Sequence, residues 1–187
     1  MKTEAPTKPS TWTADPMHSI AEFAVKHLVV TTVKGRFREL EATLNIDEAN
    51  PENSSVEAKI AVASVDTNVE ARDADLRSDN FFSADRFPYI HFRSTRVERL
   101  NEGRFRLTGD LTIRDVTKEV VLDGEYEGQI DDPYGNKRAG LTATTQISRK
   151  EFGIRWNQLL ESGGAVVGDN VKITLHIEAI RNKEEEA

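Results

Sequence analysis

The sequence contains no cysteine, and no apolar run in it approaches the roughly 18 residues of a membrane-spanning helix. The first absence excludes disulfides, thiolate catalysis and cysteine-ligated metal. The second predicts that the chain does not insert stably into a membrane. The opening segment, "MKTEAPTKPS", also lacks the apolar centre of a secretory signal. We therefore expect a cytoplasmic protein.

Positive charge is in short supply as well. Lysine and arginine number 25 against 32 aspartate and glutamate residues, which gives a net charge of −7. This balance argues against nucleic acid and anionic lipid head groups as electrostatic partners. It favours a ligand that is neutral or that binds through apolar contacts.

What the sequence does contain is long stretches in which apolar and polar residues alternate. In one of them, Val171, Ile173, Leu175 and Ile177 alternate with polar residues, as expected for an antiparallel strand with one dry face. All six prolines fall outside such stretches. The predicted strands are 19–29, 38–46, 54–66, 89–100, 104–114, 118–128, 139–149 and 171–179.

Two short helices are predicted between the strands. Thr67 and Glu70 have the spacing of a capping box, which predicts a helix that begins near them. In the stretch 156–161, apolar residues recur at i, i+3 and i+4, and the pair Gly163-Gly164 follows as a stop.

These elements predict an all-β fold. A one-sided sheet of about eight long strands must bury its dry face against itself, most simply by closing into a barrel. We therefore expect an extended antiparallel eight-stranded barrel with one or two short helices. Glycines inside the strands, at positions 35, 109, 124 and 128, are expected where such strands bend sharply. A barrel of this size has room for side chains or for one small ligand.

The 187 residues fit a single domain. We place it at residues 11–180, between a disordered N-terminal tail at 1–10 and a charged C-terminal tail at 181–187. An edge strand near the seam of the barrel would allow a homodimer, although nothing in the sequence requires one.

Patterns for catalysis and for metal binding are missing. The four histidines lie too far apart in sequence for a metal-binding pair, and no G-x-S-x-G occurs, so we predict no catalytic residue, no metal and no cofactor. His27 is in phase with Phe23 and Val25 and is expected to point inward, either as a neutral core histidine or as a polar contact for a ligand. Arg72 shares the inward face of its predicted helix with Asp73. It belongs either to a structural network or to the mouth of a cavity.

Four blocks of the sequence occur in the order of a known family. They are "TWTADPMHSIAEFAVKHLVVTTVKGRF", "VDTNVEARDADLRSDNFFSADRFPYIHFRST", "LTGDLTIRDVTKEVVL", and "SRKEFGIRW" followed by "VGDNVKITLHIEA". The first contains W-x-x-D-x-x-H-S, V-K-H and G-x-F in succession. Together the blocks resemble the YceI-like family over about residues 11 to 180.

The resemblance implies a lipocalin-like barrel that encloses a long, amphiphilic isoprenoid and that has no established catalysis. Many members are exported, whereas this sequence shows no signal, which favours a cytoplasmic carrier for a lipid or a quinone precursor. The matching motif positions are Trp12, Asp15, His18, Ser19, His27, Gly35, Phe37, Arg72, Asp73, Phe81, Phe82 and Phe92.

We therefore expect a non-catalytic carrier for a long-chain isoprenoid lipid of the polyprenyl or quinone-precursor type. Two alternatives stay open: a stress-related structural or interaction protein with a filled barrel, and an enzyme that uses His27 in the cavity. The residues expected to bind the ligand are Phe23, Val25, His27, Phe37, Arg72, Phe92, Leu107, Leu111, Ile113, Trp156, Leu175 and Ile177.

Overall fold

The computed structural model describes residues 8–162 and 164–183, and most of these residues are in β-strands. The strands are β1 (Ser10–Ala14), β2 (Ile20–His27), β3 (Thr31–Phe37), β4 (Leu40–Ile46), β5 (Ser55–Ala61), β6 (Val65–Asp66), β7 (Tyr89–Arg99), β8 (Arg104–Ile113), β9 (Val116–Asp131), β10 (Lys137–Ser148) and β11 (Val167–Arg181). One α-helix, α1, spans Glu70–Arg77, and short 3₁₀ turns occupy Pro51–Asn53, Val62–Ser64 and Arg149–Phe152. Among the described residues, no helix is both long enough and apolar enough to cross a membrane.

The sheet closes on itself through β1. This strand pairs with β4 on one side and with the last residues of β11 on the other. Between them the order is β4-β5-β7-β8-β9-β10-β11, while β2, β3 and β6 continue the sheet beside the first part of β11. Three pairs of consecutive strands, β1 with β2, β3 with β4 and β5 with β6, each occupy one position in the barrel. Together with β7 to β11 they give eight positions round a closed antiparallel barrel. The predicted fold class is confirmed.

The two ends of the barrel are built differently. At what we call the terminal end lie the start of β1, the end of β11 and the hairpins β7–β8 and β9–β10. At the helix end lie α1, the β2–β3 hairpin and the connection 149–166 between β10 and β11. The antiparallel pairing of every neighbouring pair of strands fixes this division.

Strand boundaries differ from the predictions near the N-terminus. The strand β1 is missing from the predictions because only five residues alternate before Pro16 interrupts the pattern. The strand β3 is also missing, since it lies between the predicted strands 19–29 and 38–46. The strand β1 begins at Ser10, and β11 ends at Arg181, so both strands reach one residue into the predicted tails. Residues 1–7 and 184–187 of those tails lie outside the described residues.

Both helix predictions need correction. The helix α1 does begin at Glu70, but Val69 precedes it and no side chain caps it, so the expected capping box is wrong. The helix expected at 156–161 is also wrong. That stretch is held in an irregular loop by an isolated bridge between Leu159 and Ala165, and Asn157 donates from its side-chain amide to the Val167 carbonyl at 2.7 Å. The predicted stop at Gly163 lies outside the described residues.

The glycines inside the strands mostly make room for aromatic rings. A Cβ on Gly35 would lie 2.3 Å from the ring of Phe23, and a Cβ on Gly124 would lie 2.2 Å from the ring of Phe105. Gly128 is different, because it has a φ of +115° beside an irregularity in the β9–β10 register. A bulge of the kind that bends a strand therefore lies beside Gly128, whereas Gly35, Gly109 and Gly124 leave space for an aromatic ring.

Candidate ligand-binding cavity

The barrel encloses a cavity of about 240 Å³. One water molecule needs roughly 10–15 Å³ of such space, so protein side chains do not fill the barrel. Every lining residue is apolar except Glu22, Thr145 and Arg149. Along β11, the inward residues Val171 and Ile177 are only half-buried although they point into the barrel, because they face this open space.

Most of the residues predicted to bind ligand line this cavity. They come from five strands, β2, β3, β7, β8 and β11, and face the same space because strand residues two apart share a face. The predicted residues in the lining are Phe23, Val25, Phe37, Phe92, Leu107, Leu111, Ile113, Leu175 and Ile177.

His27, Arg72 and Trp156 are the predicted residues that do not line the cavity. All three lie at the helix end. His27 is the last residue of β2, half-buried and paired with Thr31 across the hairpin. Trp156 is 37% exposed, with its ring centroid 5.4 Å from that of Phe81, which does line the cavity. The structure therefore places them round the cavity's end and not in its wall.

Arg72 takes part in a compact hydrogen-bond network that ties α1 to Thr67, the residue after β6. Its Nε donates to the Thr67 hydroxyl at 2.7 Å, and its Nη2 donates to the Thr67 carbonyl at 2.9 Å. That hydroxyl in turn donates to the buried Asp73 carboxylate at 2.6 Å. The geometry favours the structural alternative for Arg72, since its donors are directed at the chain that leads into the helix.

The segment that this network anchors covers the helix end. Leu76 at the end of α1 and the following Phe81 and Phe82 reach the cavity lining. The ring of Phe82 stands edge-on to Phe37, with centroids 5.7 Å apart. Alternation could not identify these residues, because they lie outside any strand.

Arg149 is a cavity residue that the sequence reasoning missed. It is 5% exposed, and among the described lining residues it is the one buried side chain that carries a charge. Burial lowers its pKa from the usual value, an effect that the nearby Asp169 carboxylate opposes. A signal for it exists in the sequence, because Ala143 and Ile147 share its alternation phase along β10.

A second charged group, which we call the ion-pair cluster, lies at the terminal end and consists of Asp15, His18, Asp132, Arg138 and Glu178. The Arg138 Nη1 lies 2.7 Å from Asp15 Oδ2 and 2.6 Å from Glu178 Oε1, and its Nε lies 2.6 Å from Asp132 Oδ2. His18 Nδ1 lies 2.9 Å from Asp15 Oδ2. Hydrogen bonds from His18 and then Arg138 lower the pKa of Asp15 to about 2, and the Asp15 contact raises the pKa of His18.

Three members of this cluster have the ligand atoms that a metal ion would need. The ligand atoms of Asp15, His18 and Glu178 lie within 4.8 Å of one another. Arg138 already contacts both carboxylates through the same nitrogen, so a positive charge occupies the position from which a metal would be coordinated. The arrangement is that of an ion-pair network at a chain crossing.

Comparison with known proteins agrees with this architecture. A model of the YceI-like domain matches residues 12–179. The chain belongs to the YceI-like family. Protein YceI of Escherichia coli O157:H7 is 39% identical over 138 residues, which cover 74% of this chain and 72% of that protein.

Two solved structures share the fold. BcnA of Burkholderia cenocepacia superposes with a TM-score of 0.78 at 20% identity and covers 88% of this chain and 98% of its own. A polyisoprenoid-binding domain from Saccharophagus degradans, implicated in plant cell wall breakdown, superposes with a TM-score of 0.65 at 13% identity. It covers 94% of this chain and 100% of its own. These likenesses confirm the barrel.

Proposed function

We propose that this protein is a non-catalytic binding protein for a long-chain isoprenoid lipid whose hydrocarbon chain lies inside the barrel. The observation that carries the proposal is the open cavity with its almost wholly apolar lining. Such a wall offers a ligand few hydrogen bonds, so affinity has to come from burial of hydrocarbon. The same fold in Saccharophagus degradans belongs to a polyisoprenoid-binding domain, which supports the choice of ligand class.

The free-energy balance favours a long chain over a short one. Each buried CH₂ contributes about 0.8 kcal/mol, so ten of them contribute about 8 kcal/mol. Association costs an estimated 4–15 kcal/mol in lost freedom. A ligand with only a few methylene groups therefore binds weakly, and each further CH₂ group buried in the cavity adds to the affinity.

The cavity is also elongated in the way that such a ligand requires. Along β11, lining residues recur from Val171 to Ile177, a distance of about 20 Å at 3.3 Å per residue. Val167 extends the lining further toward the helix end. A linear chain of isoprene units matches this shape.

Neither alternative gains support from a specific contact. A filled barrel does not agree with the open space in its centre. An enzyme that uses His27 would need that ring in the cavity, and His27 is not part of the lining. The cytoplasmic location, the homodimer and the lack of a nucleic-acid partner stay predictions.

Ligand binding can be tested with one substitution inside the barrel and one outside. Ala143→Phe places a ring in the cavity, because Ala143 lines it at the middle of β10. Gln146→Phe adds the same ring on the exposed outer face of the same strand. We expect uptake of a long-chain polyprenol, measured by mass spectrometry of organic extracts, to fall at least tenfold in Ala143→Phe and to be unchanged in Gln146→Phe.

The proposal is wrong if freshly purified wild-type protein yields no lipid and also takes up no added polyprenol. An equal loss in both variants would show that an added ring disturbs the protein generally. If folded Ala143→Phe instead takes up as much polyprenol as wild type, the cavity is not the binding site.

A further inference from the structure

The hydrogen bonds of Arg149 leave part of this side chain unused. Its guanidinium donates only to backbone carbonyls, those of Gly168 from Nε at 2.8 Å, of Ile154 and Trp156 from Nη1 at 3.0 and 2.9 Å, and of Val167 from Nη2 at 3.2 Å. A guanidinium has five N–H donors. One N–H on Nη2 is therefore left with no acceptor among residues 8–162 and 164–183.

The charge of Arg149 is likewise unmatched. Within the described part of the chain, no carboxylate lies within ion-pair distance of it. Asp169 acts on it only through space, because its carboxylate accepts hydrogen bonds from the Ser148 hydroxyl and the Lys150 backbone N–H. A buried cation without a counter-ion costs several kcal/mol. A negatively charged ligand group that reached the cavity would offset that cost.

We propose that Arg149 binds the head group of the lipid and that this head group is an oxyanion, with a prenyl phosphate as the ligand class. The ligand's phosphate then lies at the helix end, and its tail extends toward the terminal end. Arginine suits this role because its planar N–H groups match phosphate oxygens. The inference rests on the proposed function, since it assigns the polar end of the same ligand.

The opposite orientation is disfavoured by the terminal end. Trp12 is fully buried there and packs with Ala14 and Leu44. Beyond it, Arg138 is already paired with three carboxylates. A phosphate at that end would meet unfavourable charge from those acids, whereas at the helix end it would meet an unmatched cation.

Arg149 also has a structural role that the experiment must separate from head-group binding. Its four carbonyl partners hold the 149–166 connection against the start of β11. The first test therefore uses the wild-type protein with two ligands, a polyprenyl phosphate and the uncharged polyprenol of the same chain length. We expect wild type to bind the phosphate about tenfold more tightly at pH 7.

Two variants then test whether Arg149 causes the preference for the phosphate over the polyprenol. Arg149→Gln removes the charge and is expected to bind both ligands equally. Val167→Glu keeps Arg149 but supplies a carboxylate from a lining residue whose carbonyl already contacts the guanidinium. It should also lose the preference, while the matched Val167→Gln keeps it. If Arg149→Gln fails to fold, the comparison of Val167→Glu with Val167→Gln tests the proposal.

The possible failures are distinguishable. Equal binding of the two ligands by wild type overturns the role of Arg149 and leaves the proposed function standing. A tenfold preference that persists in folded Arg149→Gln, or in Val167→Glu, also overturns it. If wild type binds neither ligand, the proposed function itself fails.

Discussion

Two arginines at opposite ends of the barrel show how differently one residue type can be used. Arg138 at the terminal end contacts three carboxylates, at 2.6 to 2.7 Å. Arg149 at the helix end contacts only carbonyl oxygens. Hydrogen bonds that Arg138 donates to the Asp132 and Asp15 carboxylates raise the pKa of Arg138, whereas burial lowers that of Arg149.

The difference follows from what each arginine joins. Arg138 ties together the turn after β1, the β9–β10 turn and the end of β11, which meet where the barrel closes. Its charge is matched within the protein, so the terminal end is closed by its own interactions. Arg149 fastens a connection beside an apolar cavity and keeps its charge unmatched. The terminal end is thus stabilised by its own ion pairs, whereas the helix end carries the charge that we propose for head-group recognition.

The strongest test of this division is removal of the Trp12 ring. Trp12 is 0% exposed, and truncation of a buried aromatic typically costs about 3–5 kcal/mol. We expect Trp12→Ala to lower the free energy of unfolding by that amount in urea titrations. The preference for a prenyl phosphate over its polyprenol should stay unchanged in the folded protein.

Trp12→Phe serves as the control, because it keeps most of the volume and loses the indole N–H bond to the Ser10 hydroxyl. Its cost should be clearly smaller. If Trp12→Ala instead abolished the phosphate preference while the protein stayed folded, the head group would lie at the terminal end and the comparison would be reversed.

The sequence predicts the cavity wall better than either end of the barrel. Alternation is a local property, so residues such as Phe23, Leu107 and Ile177 can be assigned to the inner face from their neighbours alone. His27 sits where β2 ends at the hairpin, and Trp156 lies in an irregular loop. Strand periodicity says nothing reliable about side chains at such positions.

The ion-pair cluster could not be predicted for a different reason. Asp15 and Arg138 are 123 residues apart in sequence and meet only because β1 closes the barrel against β11. The hydrogen bonds of Arg149 depend in the same way on backbone carbonyls from a loop whose path has no periodic signal. Residue type alone does not show that the charge of Arg138 is paired with carboxylates or that the charge of Arg149 is not.

A second experiment examines how the helix end is held. Thr67 is 4% exposed, and its hydroxyl connects Asp73 to Arg72. Thr67→Val keeps the shape but removes that hydroxyl, which leaves buried polar groups short of a partner at a cost of about 1–3 kcal/mol. We expect faster amide hydrogen exchange in α1, with a smaller loss of overall stability than in Trp12→Ala.

The matched control is Thr67→Ser, which retains the hydroxyl and should leave exchange in α1 close to that of wild type. Unchanged exchange in Thr67→Val would mean that packing of Leu76, Phe81 and Phe82 alone holds the cover. The network would then have no measurable part in closing the helix end.

The smallest expected effect concerns the acid stability of the terminal end. The pKa of Asp15 is lowered to about 2 from 3.8 by hydrogen bonds from His18 and then Arg138. The stability that this carboxylate contributes is therefore complete above about pH 4 and is lost as the pH falls through the interval from 4 to 2. In Arg138→Gln the folded-state pKa of Asp15 rises toward its unfolded value, so less stability remains to be lost and the loss is complete at a higher pH. Melting temperatures at pH 7, 4, 3 and 2.5 should fall less steeply between pH 4 and 2.5 in Arg138→Gln, after a lower start at pH 7. Parallel curves for the two proteins would show that Arg138 does not control Asp15, and the matched charge at the terminal end would not explain its closure.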